Sequence, residues 1–147
     1  MPLEQAGRSL RWARQALALA KRGIVPAPGG LIRCTEQLPT LVILADEELA
    51  RTLVATRLAP LGQVRAAHRE PLAQTLLCWL ECGGNAREVA RRLSIHPQTA
   101  RYRMRQLHLL FGGILHEADA RFGLEIALRA QHLTGAPAAG PAAGAET

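Results

Sequence analysis

The sequence predicts a mainly α-helical protein, with a C-terminal helical bundle and an N-terminal helical segment that could include two short strands. Three observations lead to this fold class. Apolar residues recur at three- and four-residue spacing in six segments, as they do along one face of an α-helix. Glycine and proline stand between the segments, where helices end or begin. Of the 147 residues, 48% are hydrophobic, which suffices for the core of one domain with an appendage or of two small units.

Residues 1–66 are predicted to form a partial upstream region. Its first helix spans Leu3 to Arg22, and the predicted apolar stripe consists of Leu10, Trp12, Ala13, Ala16, Leu17 and Ala20. Leu31–Cys34 is short enough for a strand. Leu41–Leu44 could be a strand or the start of a helix, because periodicity does not separate the two for so short a run. Asp46 can cap a helix from Glu47 to about Leu58.

Residues 67–134 are predicted to form a second, helical domain. Pro71 is expected to open its first helix, whose core stripe is Leu72, Leu76, Trp79 and Leu80. Gly83 and Gly84 end that helix. A last helix from Ala118 to Leu133 places Phe122, Ile126, Ala130 and Leu133 on one face, and Leu109 and Leu110 are expected to pack against it. Residues 135–147 contain mostly Gly, Ala and Pro and are predicted to be a disordered tail.

The segment between these helices predicts a helix-turn-helix. Asn85 is a favoured N-cap, and the apolar residues that follow it share one face. Pro97 suits the first position of the next helix, which is predicted to run to about Leu110. In that helix, Ala100, Met104 and Leu107 point to one side, whereas Gln98, Arg101, Tyr102 and Arg105 point to the other, with Thr99 and Arg103 at the flanks.

The charge of this segment indicates double-stranded DNA as the partner. Between Asn85 and His108 there are six arginines and one glutamate, and the whole chain has a net charge of +6. A helix fits the major groove, where arginine can bind guanine and glutamine can bind adenine through two hydrogen bonds. The alternative is a solvated arginine-rich face, since Lys21 is the only lysine and the composition itself is biased toward arginine.

Other classes of function find little support in the sequence. The three cysteines do not suggest a disulfide framework, and Cys78 and Cys82, four residues apart, are a weak signal for a metal or redox site. The five histidines have no paired nucleophile or metal-ligand spacing, and no glycine-rich phosphate loop follows a strand. We therefore expect no catalysis, no metal and no cofactor. The chain has no apolar run of membrane-spanning length and no signal peptide, so a cytoplasmic location is expected.

Three blocks of the sequence resemble the C-terminal helix-turn-helix domain of PucR/CdaR-type bacterial transcriptional regulators. These blocks are residues 76–85, 90–104 and 120–128, and the centre also looks like the DNA-binding end of Fis-like proteins. The resemblance implies DNA-facing positions at His96, Gln98, Thr99, Arg101, Tyr102, Arg103 and Arg105. It also implies that Asn85 and Arg87 lie near the DNA backbone. Residues 9–61 resemble the end of the middle domain that precedes this module in the family.

Two functions follow from these observations, and they differ in the partner that is bound. The first is a sequence-specific transcriptional regulator that binds DNA as a homodimer, because two-fold dimers that bind two half-sites are common among helix-turn-helix proteins. The second is a protein-interaction or dimerisation module that no longer reads DNA. Family members carry a sensory region, so the chain is expected to be a fragment or a truncated regulator. The sequence does not identify an effector, an operator or the direction of regulation.

Overall fold

The structure is a computed structural model that describes residues 3–135, all of which belong to helices, turns and short connections. The helices are α1 (Leu3–Lys21), α2 (Leu38–Ile43), α3 (Glu47–Arg57), α4 (Ala66–Glu81), α5 (Ala86–Arg92), α6 (Pro97–Phe111) and α7 (Ala118–Thr134). Short 3-10 turns lie at Pro28–Gly30, Cys34–Gln37, Ala59–Gln63 and Gly112–His116. The mainly α-helical fold class is therefore confirmed. The predicted tail, apart from Gly135, lies outside the described residues.

The described residues contain no strand, which corrects the two short strands considered for the N-terminal segment. Residues 31–33 are irregular, and the run at residues 41–44 belongs to α2 or to its end. Pro39 stands in the first turn of α2, where its fixed φ and missing N–H suit a helix. Leu41 and Leu44 are buried while Val42 is 73% exposed, which is the three-residue spacing of a helix.

The chain divides into two compact units, the first ending at Ala50 and the second beginning at Arg51. The domain boundaries inferred from the sequence, with a break between residues 66 and 67, remain a prediction. In the first unit, Ala16 and Leu19 of α1 are buried, and the side-chain amide of Gln15 donates to the Leu41 carbonyl over 2.9 Å. Arg22 and Glu47 form an ion pair.

The buried face of α1 differs from the predicted stripe. Leu10, Trp12 and Leu17 are 53%, 43% and 50% exposed, whereas Leu19, outside that stripe, is 3% exposed. The packed side keeps Ala16 of the predicted stripe but is rotated toward Leu19, because these two residues face the rest of the first unit. Periodicity identified the helix correctly but could not select between its two apolar sides.

In the second unit, α4 contacts α5, α6 and α7 and so supports the other helices. The predicted core stripe of α4 is confirmed, since Leu72, Leu76, Trp79 and Leu80 are all buried. The prediction that Pro71 opens this helix was wrong, because α4 begins at Ala66 and contains Pro71. Proline removes one hydrogen bond there. Arg69 holds the preceding turn, donating to the carbonyls of Val64 and Gly62 over 3.0 and 3.1 Å.

The last helix packs on a face that is rotated from the predicted one and shares Ala130 with it. Its buried residues are Leu124, Ala127, Leu128, Ala130 and Gln131, whereas Phe122 is 67% exposed. Leu109, expected to pack against this helix, is 87% exposed. An ion pair of 2.9 Å between Arg129 and Glu81 links α7 to α4, and Arg129 also pairs with Glu125 of its own helix over 2.9 Å. The second unit thus has a leucine-rich core beneath α5 and α6.

Candidate nucleic-acid interface

The helix α5 begins with the cap that the sequence predicts. The side-chain oxygen Oδ1 of Asn85 accepts hydrogen bonds from the backbone N–H groups of Arg87 and Glu88, over 3.0 and 3.3 Å. These two bonds satisfy donors that have no partner within the helix. The side chain of Asn85 is therefore engaged with its own helix, which leaves exposed Arg87 as the cation at this end of α5.

Glu88, in the first turn of α5, is paired with two arginines of the last turn. Arg91 and Arg92 donate to its carboxylate through their Nε atoms over 2.8 and 2.9 Å. These hydrogen bonds, that of Arg91 first, lower the pKa of Glu88 to about 2. Arg92 also lies 3.9 Å from Glu81 of α4. Two of the six arginines in the segment are thus partly neutralised within the protein.

The turn between α5 and α6 depends on one residue in a left-handed conformation. Ser94 has a φ of +52°, and it is the only non-glycine residue with positive φ among those the structure describes. The N–H of Ile95 donates to the Ala90 carbonyl over 3.0 Å, and that of Ser94 to the Arg91 carbonyl over 3.3 Å. This is the Schellman arrangement, which ends a helix and reverses the chain within two residues.

The helix α6 begins at Pro97, as the sequence predicts, and its cap is His96. The Nδ1 atom of His96 accepts from the N–H of Gln98 over 3.1 Å. The inner face of α6 is formed by Ala100, Met104, Leu107 and Phe111, all of them buried. Ala100 is 0% exposed, so the backbone of α6 can approach its neighbours closely at that point. The predicted inner face is therefore confirmed.

The outer face of α6 combines four exposed side chains within the first nine residues of the helix. These are Gln98, Arg101, Tyr102 and Arg105. The hydroxyl of Tyr102 accepts from the side-chain amide of Gln106 over 3.3 Å, and the residue is 56% exposed. The structure therefore brings together two arginines, an amide and a phenol on one open surface. We call these four residues the outer face.

Four other predicted site residues lie elsewhere. Arg103 is half-buried, and its Nη1 atom donates to the hydroxyl of Thr75 on α4 over 3.4 Å. Thr99 is also half-buried, while His96 and Asn85 use side-chain atoms as helix caps. The hydroxyl of Thr75 in turn donates to the Pro71 carbonyl over 2.7 Å. Arg103 thus connects α6 to α4 rather than joining the outer face.

Beside the outer face lies a surface depression of about 500 Å³ between α5 and α6. Its lining consists of Arg87, Ala90, Arg91, Ile95, Pro97 and Arg101. Arg91 was not among the residues predicted for the site. It lies four positions after Arg87, a spacing that places both on one face of α5 and could have revealed it. Three arginines therefore line a concave surface, and even with Arg91 paired to Glu88, Arg87 and Arg101 provide the charge to accept a phosphate.

The two neighbouring cysteines give no support to a reactive site. Their Sγ atoms are 3.8 Å apart, and burial, followed by the contact with Cys82, raises the pKa of Cys78 to about 11. A thiol with such a pKa is almost fully protonated at neutral pH and is a poor nucleophile. Within residues 3–135, no group of three or more His, Cys, Asp or Glu side chains could hold a metal ion. No described helix has both the length and the apolar character of a membrane span.

The geometry defines the class of this module. A short helix, a tight turn and a second helix with a buried inner face and an exposed polar outer face constitute a helix-turn-helix, the module whose second helix contacts the major groove in many DNA-binding proteins. Residues 72–130 match the family described as the PucR C-terminal helix-turn-helix domain. For these residues the match confirms the resemblance seen in the sequence. The likeness of residues 9–61 to the preceding middle domain remains a prediction.

Two mycobacterial proteins are similar to part of the chain. They are the uncharacterized protein Rv2242 of Mycobacterium tuberculosis and the uncharacterized protein Mb2266 of Mycobacterium bovis. Each is 32% identical over 72 residues, which cover 49% of this chain and 16% of the relative. The match thus covers about a sixth of the length of these relatives. No solved structure matches the chain.

Proposed function

We propose that this chain is a sequence-specific DNA-binding transcriptional regulator that reads the major groove with α6. The observation that carries the proposal is the outer face, where Gln98, Arg101, Tyr102 and Arg105 are exposed while the opposite side of the same helix is buried. Such a helix can enter a groove without disturbing the core. The role is one of binding and includes no catalytic step.

Within this proposal the site residues have three roles: contact with bases, contact with phosphates, and support of the motif. Gln98 and Arg101 lie in the first turns of α6, the part of a recognition helix that contacts bases, so they would confer specificity. Arg87, Arg91 and Arg105 would bind phosphates, since arginine donates well to phosphate oxygens. Asn85, His96, Thr99 and Arg103 would mainly fix the geometry of the motif, because caps or contacts with α4 already engage three of them and Thr99 is half-buried.

We further propose that the regulator binds as a homodimer, in the cytoplasm where bacterial DNA is found. One recognition helix contacts only a few base pairs, whereas a two-fold dimer contacts two half-sites about one helical turn apart. Selection of bound sequences from a random DNA pool tests both parts of the proposal. Enrichment of a palindrome is expected. A pool that stays random after several rounds would contradict sequence-specific reading.

The alternative function, a protein-interaction module that has lost DNA reading, predicts a different response to salt. Each phosphate contact releases counterions, so the logarithm of the DNA affinity should fall by about 0.9 per contact for each tenfold rise in salt. With several arginines around the outer face, we expect a steep fall. Binding that is indifferent to both salt and DNA sequence would favour the alternative.

A further inference from the structure

The N-terminal helix α1 has a second apolar face that the described residues leave uncovered. Its members are Ala6, Leu10, Ala13 and Leu17, all of them exposed. Leu10 and Leu17 are 53% and 50% exposed, although Ala16 and Leu19 on the packed side of the same helix are 1% and 3% exposed. We call these four exposed residues the α1 stripe.

The spacing of the α1 stripe is that of a heptad repeat. Its members follow one another at intervals of four, three and four residues. This is the spacing of the core positions, named a and d, at which two helices of a coiled coil meet. Leucine occupies both a positions, 10 and 17, and alanine occupies both d positions, 6 and 13. The stripe therefore alternates large and small side chains along the helix.

We propose that the α1 stripe binds the same stripe of a second copy of this chain, with the two helices antiparallel. In that arrangement Leu10 packs opposite Ala13 of the second copy, and Leu17 packs opposite Ala6. Every layer then pairs one large side chain with one small one. A two-fold axis between residues 10 and 13 generates all four layers from one surface, as an isologous dimer interface requires. Leucine of one copy thus meets alanine of the other in every layer only when this two-fold axis relates the two helices.

Side-chain size favours the antiparallel arrangement, and the charges at the edges of the stripe permit it. In parallel helices Leu10 would meet Leu10 and Ala13 would meet Ala13, and the leucine layers would hold the alanine layers apart and leave gaps. In the antiparallel pair, Arg14 at the edge of the stripe faces Gly7 of the second copy. The structure has open space around Gly7. The antiparallel pair therefore brings no two like charges together at the edges of the stripe.

The small area of the surface limits the strength of the dimer. A helix of 19 residues is roughly 28 Å long and about 10 Å wide. A strip of that size is smaller than the ~800 Å² per partner of a standard interface. We therefore expect a dissociation constant in the micromolar range. Residues 5–14 of α1 are exposed on all sides. A helical segment of this length is only marginally stable alone in water.

This interface supplies the dimer of the proposed function, but its test requires no DNA. Sedimentation equilibrium of the full chain, from low to high micromolar concentration, is expected to show a reversible monomer–dimer equilibrium. Leu10→Glu places a charge in two layers of each dimer and should raise the dissociation constant about tenfold or more. Arg8→Gln is the matched control: it changes the net charge equally but lies on the opposite side of α1, and it should leave the equilibrium unchanged.

A second variant tests the orientation of the helices. In the antiparallel dimer, Ala13→Leu places leucine opposite Leu10 in two layers and should weaken association, because those layers are then overfilled. In a parallel dimer the same substitution would fill the alanine gap and strengthen association. Stronger association of this variant would therefore overturn the antiparallel arrangement. Circular dichroism of each variant verifies that α1 remains helical.

Two other results would overturn the proposal itself. One is a chain that stays monomeric at high micromolar concentration, or a dimer that Leu10→Glu and Leu17→Glu both leave intact. The other is a monomer that sediments with anionic lipid vesicles unless Leu10 is replaced by Glu, since the stripe would then bind a lipid surface. Neither result depends on whether α6 reads DNA, so the two proposals can fail separately.

Discussion

Arg101 and Arg103 are two residues apart on one helix, yet their guanidinium groups have different surroundings. Arg101 is exposed on the outer face and lines the depression between α5 and α6. Arg103 is half-buried, and its Nη1 atom donates to Thr75 on α4. Loss of the Arg101 side chain and loss of the Arg103 side chain should therefore affect two different properties of the protein.

We predict that Arg101→Ala lowers the affinity for a selected DNA site by about 1–3 kcal/mol, the range of one base contact with two hydrogen bonds. Its free energy of unfolding should hardly change. Arg103→Ala should instead lower the free energy of unfolding by about 0.5–1.5 kcal/mol, as expected for one lost hydrogen bond. DNA titrations and urea denaturation of both variants measure the two effects.

Arg65→Ala provides a charge-matched control outside the two helices of the motif. It removes one cation from an exposed position, so it reports how much affinity depends on net charge alone. An equal loss of affinity for Arg65→Ala and Arg101→Ala would contradict a specific role for Arg101.

Glu88 makes the stability of the motif depend on acid pH. Its pKa is lowered to about 2 in the folded chain, against about 4.3 for an unperturbed glutamate. A carboxylate with a lowered pKa stabilises the fold above the unfolded value, and this contribution is lost as the pH falls from about 4.3 toward 2. We predict that Glu88→Gln reduces the loss of stability over this interval. Denaturation at several pH values measures it.

Because the Glu88 cluster is accessible to solvent, salt should weaken its effect. High salt is therefore expected to bring the acid profile of the wild-type chain closer to that of Glu88→Gln. Profiles that coincide at low salt would show that the arginine pairs do not stabilise the motif.

At the scale of the element, the turn between α5 and α6 holds a serine in a conformation that favours glycine. Left-handed backbone costs a non-glycine residue about 1–2 kcal/mol, and Ser94 has a φ of +52°. We predict that Ser94→Gly raises the free energy of unfolding by about 1 kcal/mol. Ser94→Ala, which keeps the Cβ atom and removes only the hydroxyl, is the control and should give no such gain. Urea denaturation distinguishes them, and an equal response of both variants would disprove the strain.

The elements themselves were largely predictable because their signals are local. Asp46 was predicted to cap α3, and its Oδ1 atom accepts from the N–H of Leu49 over 2.9 Å. Asn85 and Pro97 likewise begin α5 and α6. Where a local signal competes with a distant contact, prediction fails. Pro71 would ordinarily open a helix, but α4 begins at Ala66, and Arg69 donates to two carbonyls of the turn before it.

Faces of helices were harder to predict than their existence. Phe122 and Leu10 are large and apolar but exposed, whereas Leu124 and Leu19 are buried. Each helix has more than one apolar side, and only the position of the neighbouring helices determines which side packs. In α6 the choice was clear because arginines occupy the other side, so its inner face was predicted correctly. The flank position of Arg103 left its contact with Thr75 unpredicted.

At the scale of the whole molecule, the core is concentrated in the second unit. The largest fully buried side chains all lie between residues 58 and 124; they are Leu58, Leu61, Leu72, Thr75, Leu76, Val89, Leu107, Leu115 and Leu124. The buried hydrophobic residues of the first unit are Ala16, Leu19, Val25, Leu41, Leu44 and Ala50. A much smaller apolar volume therefore stabilises the first unit.

We predict that a fragment of residues 46–135, which retains the Asp46 cap, unfolds in a single cooperative transition. The matched fragment, residues 1–50, should show no such transition, because its core is too small to offset the loss of chain entropy. Calorimetry of both fragments measures this difference. If residues 46–135 melt without cooperativity, the second unit depends on the first for its stability.

The two tryptophans lie in different units and in different environments. Trp12, in the first unit, is 43% exposed; Trp79, in the second, is 7% exposed. The guanidinium of Arg121 lies 5.1 Å from the centre of the Trp79 ring, and the His108 ring meets it edge-on at 5.8 Å. Each unit thus contains its own fluorophore. With Trp12→Phe, the remaining emission should be blue-shifted and report on the helix-turn-helix module alone. With Trp79→Phe, the emission should follow α1, so that self-association and DNA binding could be observed optically in separate variants of one protein.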